Sequence, residues 1–531
     1  MNLRKVKAMI AGHRPPGASA GETDVLGGIV LGWRKELVRL LNEIDADAMA
    51  LASGDVTELA VAMTELAEDL HTDSGLWRGL EAGNTAHFDT PLPLIWQAGD
   101  AALTRFDARR FRFFLHSVWR HFMPNLIISP AHRGFVTIAD GAEAFFGGAF
   151  AGYSHISSVT VFLKTSNARG WDVKRKLIWF GTHGFLLRFA YADYLARNKP
   201  KARDAITATD DYLCQESTAW SGFGALDLLA VTLDLPEADR TALRGWNERH
   251  AAFYRVDAMQ IKGIVVETLK VVNLINDQAY CIRMDIPRNE CPFANKEMVF
   301  GSLVLWHGEW YWSGAQERWP QVPVDFQMIR RGMIEKNSAI VYRYCPDLAK
   351  RAREISVEYH ASFVGFHGSD LAVFADGLTA AAAEQRRIRE QNEAKTGAKM
   401  PVFLARHGSN RSGPKISLPK DLIECRRGIA IFSHAGEGTE LMADFDVLRT
   451  ALGKSDDALS EDEAEVLQAF IESEAISPAF VRRVIQDYGR ASLSALYYLP
   501  TGNDSEVEYL LRRFKGHFYR RRFPCISLLQ E

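Results

Sequence analysis

Hydrophobic and polar positions follow two different periods along the chain, and the switch between them marks its main divisions. From Trp33 the apolar residues recur every three or four positions, the spacing of one helix face. Over 56–70 (VTELAVAMTELAEDL) this pattern predicts a helix capped by Asp55. The same period returns over 107–122, 174–197 and 237–253, with Gly-rich turns such as GGAFAG and AWSGFG between. Residues 26–252 therefore read as one helical domain. The preceding residues 1–25, with HRPPGASAGETD, read as a loose, flexible tail.

Beyond residue 253 the period shortens to two. Segments 264–269, 271–275, 278–284, 298–305 and 309–313 are rich in Val, Ile and aromatic residues, and His307-Gly308 stands between the last two as a turn. Short strands this closely spaced predict a small antiparallel barrel-like module over 253–325. Alternation puts Trp310 and Trp312 on one face and Tyr311 on the other. Residues 326–400 return to helix, including the strong helix former LTAAAAEQRRIREQNEAK, with one strand at 361–366. Residues 401–531 read as an α+β domain with strands near 402–405 and 428–433. In it Ser460 and Glu463 form a capping-box pattern, and a basic, aromatic helix follows at its C-terminal end. The fold class is thus α+β, mostly helical and multi-domain. No internal repeat is visible.

Composition changes this picture little. The chain has 531 residues, with 47% apolar and 24% charged, enough for about three ordinary globular cores. A net charge of −3 gives no global preference for nucleic acid or anionic membranes, so either would need a local patch. The six cysteines lack zinc-type spacing and read as reduced, buried thiols. The basic start (Arg4, Lys5, Lys7) precedes an apolar run too short for a signal peptide. No stretch approaches the ~20 apolar residues of a membrane span. A cytoplasmic protein without membrane partner, cofactor or metal is expected.

Two segments carry candidate chemistry. Leu404-Ala405-Arg406-His407-Gly408 resembles the Arg-His-Gly motif of histidine phosphatases, in which the His becomes phosphorylated. Arg406 and Arg411 would stabilise phosphoryl oxygens. Ile431-Phe432-Ser433-His434 resembles that family's later strand end, although Ala435 replaces its glycine. Too few residues separate His407 from His434 for the α/β domain the family places there. Gly408 and Gly413 have phosphate-loop spacing, but Pro414 stands where the lysine is required. No Gly-x-Ser-x-Gly elbow occurs. His116, His121 and His183 read as packing or turn residues.

The second segment is the basic run Arg512, Arg513, Lys515, Arg520, Arg521 and Arg522, interleaved with Phe514, Phe518, Tyr519 and Phe523. Cations neutralise phosphates and rings stack on bases, so this run is a candidate nucleic-acid surface. Its alternative is an amphipathic helix whose aromatic side is core.

Trp246-Asn247-Glu248-Arg249-His250, Phe300-Gly301-Ser302-Leu303-Val304 and Trp310-Tyr311-Trp312-Ser313-Gly314 resemble uncharacterised bacterial proteins in which a helical region leads into a small β-barrel. Some of these carry a SEC-C zinc motif, which this chain lacks. The resemblance implies a bacterial intracellular protein and no specific activity. The sequence therefore predicts a binding or regulatory protein with a nucleic-acid or protein partner, with a phosphoryl-handling hydrolase at His407 and His434 as the alternative.

Overall fold

The computed structural model describes residues 2–44, 49–97, 99–336, 346–396, 419–454 and 459–520. It is an α+β structure, mostly helical, whose contacts divide it into two units. The first comprises residues 1–327 with 503–517, and the second residues 328–502 with 518–531.

The first unit opens with helices α1 (Leu3–His13), α2 (Ala20–Glu43), α3 (Ser53–Thr72) and α4 (Leu76–Phe88). There follow α5 (Ala108–Phe122), α6 (Arg133–Ala149), α7 (Ser158–Leu163), α8 (Gly170–His183) and α9 (Arg188–Asn198). Last come α10 (Ala205–Gln215), α11 (Ala225–Thr232) and α12 (Glu237–Arg244).

The segment expected to be a loose tail is ordered helix. The Asn2 side chain accepts from Lys5 N at 3.0 Å and starts α1. Val6 and Ile10, one helical turn apart, are buried as α1 packs on α2. Arg14, held extended before Pro15, ends the helix. Helix α3 starts two residues before Asp55, which lies in its first turn rather than at the cap. From Val56 to Ala67 nearly every α3 position is buried, so this helix is the centre of the core. The helix expected over 237–253 ends at Arg244, and a strand starts at Ala252.

Five strands follow: β1 (Ala252–Lys262), β2 (Val265–Asn273), β3 (Ala279–Pro287), β4 (Met298–Trp306) and β5 (Glu309–Trp319). β1 was not anticipated, and the two segments expected over 264–275 form the single strand β2. The order is β1-β2-β3-β5-β4, with β4 also pairing β1. All pairs are antiparallel except β3–β5, which meet in parallel at Ile282 and Trp310. The sheet is therefore mixed, not wholly antiparallel as expected. The β4–β5 hairpin turns at His307 (φ 48°) and Gly308 (φ 80°), the positive pair that a two-residue type I′ turn requires.

A buried ionic cluster joins this sheet to the helices. Lys174 of α8 and Arg249 both ion-pair with Asp210 of α10, and Arg249 also pairs with Asp211. Ser313 of β5 donates to Asp210 at 2.9 Å. Gly314 (φ 72°) lies so close that an added Cβ would sit 2.9 Å from Asp210 Oδ2.

The second unit holds α14 (Pro346–His367), preceded at the junction by α13 (Phe326–Lys336). Then come β6 (Leu371–Phe374), α15 (Gly377–Thr396), α16 (Lys420–Glu424), β7 (Ile429–His434) and β8 (Gly438–Ala443). Four helices follow, α17 (Phe445–Leu452), α18 (Glu461–Glu472), α19 (Pro478–Tyr488) and α20 (Ala491–Leu496). β6, β7 and β8 form an antiparallel sheet over a core of Phe363, Ala380, Ile429 and Ile431. The strand expected at 361–366 is the last turns of α14. The Ser460–Glu463 capping box is formed.

The chain returns to the first unit with α21 (Asp504–Lys515). Tyr509 sets its ring edge-on to Phe88 at 5.7 Å. Gly222 touches the backbone of this helix so closely that an added Cβ would lie 2.1 Å from Arg512 O.

Candidate functional site

Two of the four described residues of the predicted basic surface turn inward. Lys515 is completely buried, Arg513 is 9% exposed and lies over the Phe514 ring, and Arg512 pairs with Glu508 at 3.3 Å. Arg520 is half-buried. Arg521 and Arg522 lie outside the described residues. Arg513 and Lys515 serve as the inner face of α21, where they cannot reach a polyanion.

His434 closes the β7–β8 turn. Its Nδ1 accepts from Gly436 N at 3.2 Å and Glu437 N at 3.1 Å, so one ring nitrogen is committed to holding the backbone. His407, Arg406 and the strand expected at 402–405 lie outside the described residues. His116 is buried against Phe135, and burial pushes its pKa down. His121 donates to Asp193 at 2.7 Å. The Trp-rich strand β5 keeps its expected alternation. Trp310 and Trp312 pack with His250, Tyr280, Tyr254 and Phe293, while Tyr311 lies against Gly170 and Trp171.

A different constellation emerges in the first unit, where α1, α3 and α8 meet. A cavity of about 320 Å3, counted out to its mouth, is lined by His13, Arg14, Glu65, Glu68, Asp69 and His183 among its polar groups. Ser74 and Ser157 add hydroxyls, and Leu76, Val159, Trp179 and Phe185 supply apolar wall. Helical spacing explains the carboxylates: Glu65, Glu68 and Asp69 stand at i, i+3 and i+4 on α3 and so share a face. Proline explains the cations. His13 and Arg14 sit where α1 stops, and Trp179 Nε1 of α8 donates to His13 O at 2.8 Å, fixing that end.

Each charge has partners. Arg14 reaches Glu68 at 2.5 Å and Glu22 at 3.4 Å, with all three side chains at most 3% exposed. His13 Nδ1 donates to Glu65 Oε1 at 3.0 Å, and Arg188 ion-pairs with the other oxygen of Glu65. Asp69 accepts from Leu76 N at 3.2 Å and Trp77 N at 2.8 Å, so it also caps α4 from a distance. Arg14 Nε is buried without a hydrogen-bond partner.

The environment drives the carboxyl groups apart. Burial pushes Asp69 up to about 7, against the pull of its two backbone donors. Burial also raises Glu68, opposed by Arg14. Glu65, equally buried, is held well below the usual range by Arg188 and His13. Burial lowers His183. Near neutral pH the cavity therefore contains carboxyls in both protonation states, a feature common in functional sites.

No family model, curated protein or solved structure matches the chain. Among the described residues, no helix is long and apolar enough to cross a membrane, and no group of three or more His, Cys, Asp or Glu is placed to hold a metal ion. Sequence reading missed this site because the tail was set aside and no role was given to the α3 carboxylates. The available signal was three carboxylates within five residues, just after the apolar run 59–63.

Proposed function

We propose that the first unit binds a small charged organic molecule in the cavity between α1, α3 and α8, and that the protein acts through this binding. The supporting observation is the recess itself, where buried ionisable groups, two hydroxyls and an aromatic wall converge. This keeps the binding class expected from sequence but replaces the nucleic-acid partner. The burial of Arg513 and Lys515 and the packing of Trp310 and Trp312 give the nucleic-acid reading no support. The five-stranded sheet, which we read as a small closed barrel, buttresses α8 and α10 through Asp210 rather than contacting ligand. A hydrolase at His407 and His434 gains no support from the turn-holding role of His434.

The test is a thermal-shift screen of small charged metabolite-like compounds against the whole chain and a Val159→Trp variant that fills the cavity. A ligand at a hundred times its Kd stabilises by about 2.7 kcal/mol, an easily read rise in Tm. Compounds that raise Tm in the parent but not in the filled variant support the proposal. A full panel without effect on the parent overturns it.

A further inference from the structure

We infer that the ligand is a small organic ammonium compound that carries a hydrogen-bond acceptor beside its charge, the chemistry shared by amino alcohols and amino acids. This rests on the cavity being a ligand site and adds the sign and shape of the ligand.

The charges around the cavity do not cancel. Four buried carboxylates (Glu22 from α2, and Glu65, Glu68 and Asp69 from α3) face two guanidiniums, Arg14 and Arg188. His13 adds a third cation only when protonated, while His183 at the end of α8 is biased towards neutrality. Asp73 nearby is balanced by Arg78 at 2.9 Å, and Tyr153 directs its hydroxyl to Glu68 at 3.3 Å. Glu65 is already held by Arg188 and His13. The unmet negative charge thus belongs to Glu68 and Asp69, which line the cavity together.

Without a ligand, protons can balance that surplus; burial pushes both groups up, and neighbouring carboxylates add to the push. An ammonium group can do the same work. Its donors need acceptors, and the Glu68 and Asp69 carboxylates with the Ser74 and Ser157 hydroxyls line the cavity. Trp179 and Phe185 add aromatic surface, which suits a desolvated organic cation. A bare metal ion fits less well, since no three His, Cys, Asp or Glu among the described residues are placed to hold one. Arg14 lines the cavity and its buried Nε has no hydrogen-bond partner, so an oxygen next to the ammonium group would give that donor an acceptor.

The experiment titrates the whole chain with ethanolamine, and separately with acetate and ethylene glycol, in phosphate buffer at pH 6, 7 and 8, reading binding by calorimetry. The expected result is ethanolamine binding that tightens with pH, by up to tenfold per unit for one proton released, with no binding of the other two. Glu68→Gln should weaken ethanolamine at least tenfold at pH 8. Val159→Trp, which leaves every charge in place, should abolish it and guards against misfolding of the first variant. Acetate binding without ethanolamine would overturn the inference while leaving the cavity a ligand site. Ethanolamine binding unchanged in Val159→Trp would overturn it as well. Silence from every compound, here and in the thermal screen, would remove the site itself.

Discussion

The Lys174–Asp210–Arg249 cluster and the cluster around Arg14 and Glu68 are built from the same kinds of side chain, at similar burial, in the same unit. Both leave an arginine Nε without a partner, but Arg14 lines the cavity and Arg249 does not. They differ in balance and in space. At Asp210 two cations meet Asp210 and Asp211, a serine hydroxyl supplies a further bond, and Gly314 is pressed against the carboxylate. Its cations hold Asp210 below the usual range against burial. Around Glu68 the carboxylates outnumber the guanidiniums and a cavity stands open beside them. A balanced, filled cluster fixes a fold; an unbalanced one beside a cavity waits for something to complete it.

The largest expected effect breaks the first cluster. Asp210→Ala leaves Lys174 and Arg249 buried with much of their compensation gone and should cost about 3–5 kcal/mol in chemical denaturation. A cost below about 1 kcal/mol would mean that the cluster is not structural. Gly314→Ala combines an unfavourable φ with a clash at Asp210 and should cost about 1–3 kcal/mol. Glu68→Gln should cost less than Asp210→Ala, about 1–2 kcal/mol, because Arg14 keeps Glu22 and the ligand contact rather than the fold is what is lost.

The subtlest test is the sign of the pH dependence. Asp69 is raised from 3.8 to about 7, so the folded state holds its proton more tightly than the unfolded chain. Its contribution therefore falls as pH rises from about 4 to 7 and is level outside that window. Asp210 is lowered, so its stabilisation is present above its unfolded pKa near 4 and is lost only in more acidic solution. Denaturation midpoints at pH 5 and pH 8 should show a decline that flattens in Asp69→Asn and persists when the Asp210 cluster is altered. An unchanged slope in Asp69→Asn would assign the effect to another group.

Much of the architecture was legible where a local rule had no competitor. His307-Gly308 allowed few conformations other than a tight hairpin, and Ser460 with Glu463 satisfied each other as the capping box requires. Local rules failed where tertiary contacts decided. The β-prone ASFVGF at 361–366 is helical because α14 had already begun at Pro346 and buries Phe363 in the second unit's core. β1 escaped notice because its outer half is exposed and breaks the apolar alternation. The site was hardest to see, because its parts lie far apart in sequence. His13 and Arg14 follow an undervalued helix, and Glu65, Glu68 and Asp69 resemble ordinary surface charge until the rest of α3 is known to be buried.

The helix α21 has a consequence for how the protein is made. It belongs to the first unit yet is synthesised after residues 328–502. At ~5–20 residues per second this interval lasts roughly ten seconds or more. Throughout it, the ring of Phe88 and the groove at Gly222 lack the segment that covers them. The nascent chain must carry these positions uncovered in its earlier half while the later half emerges.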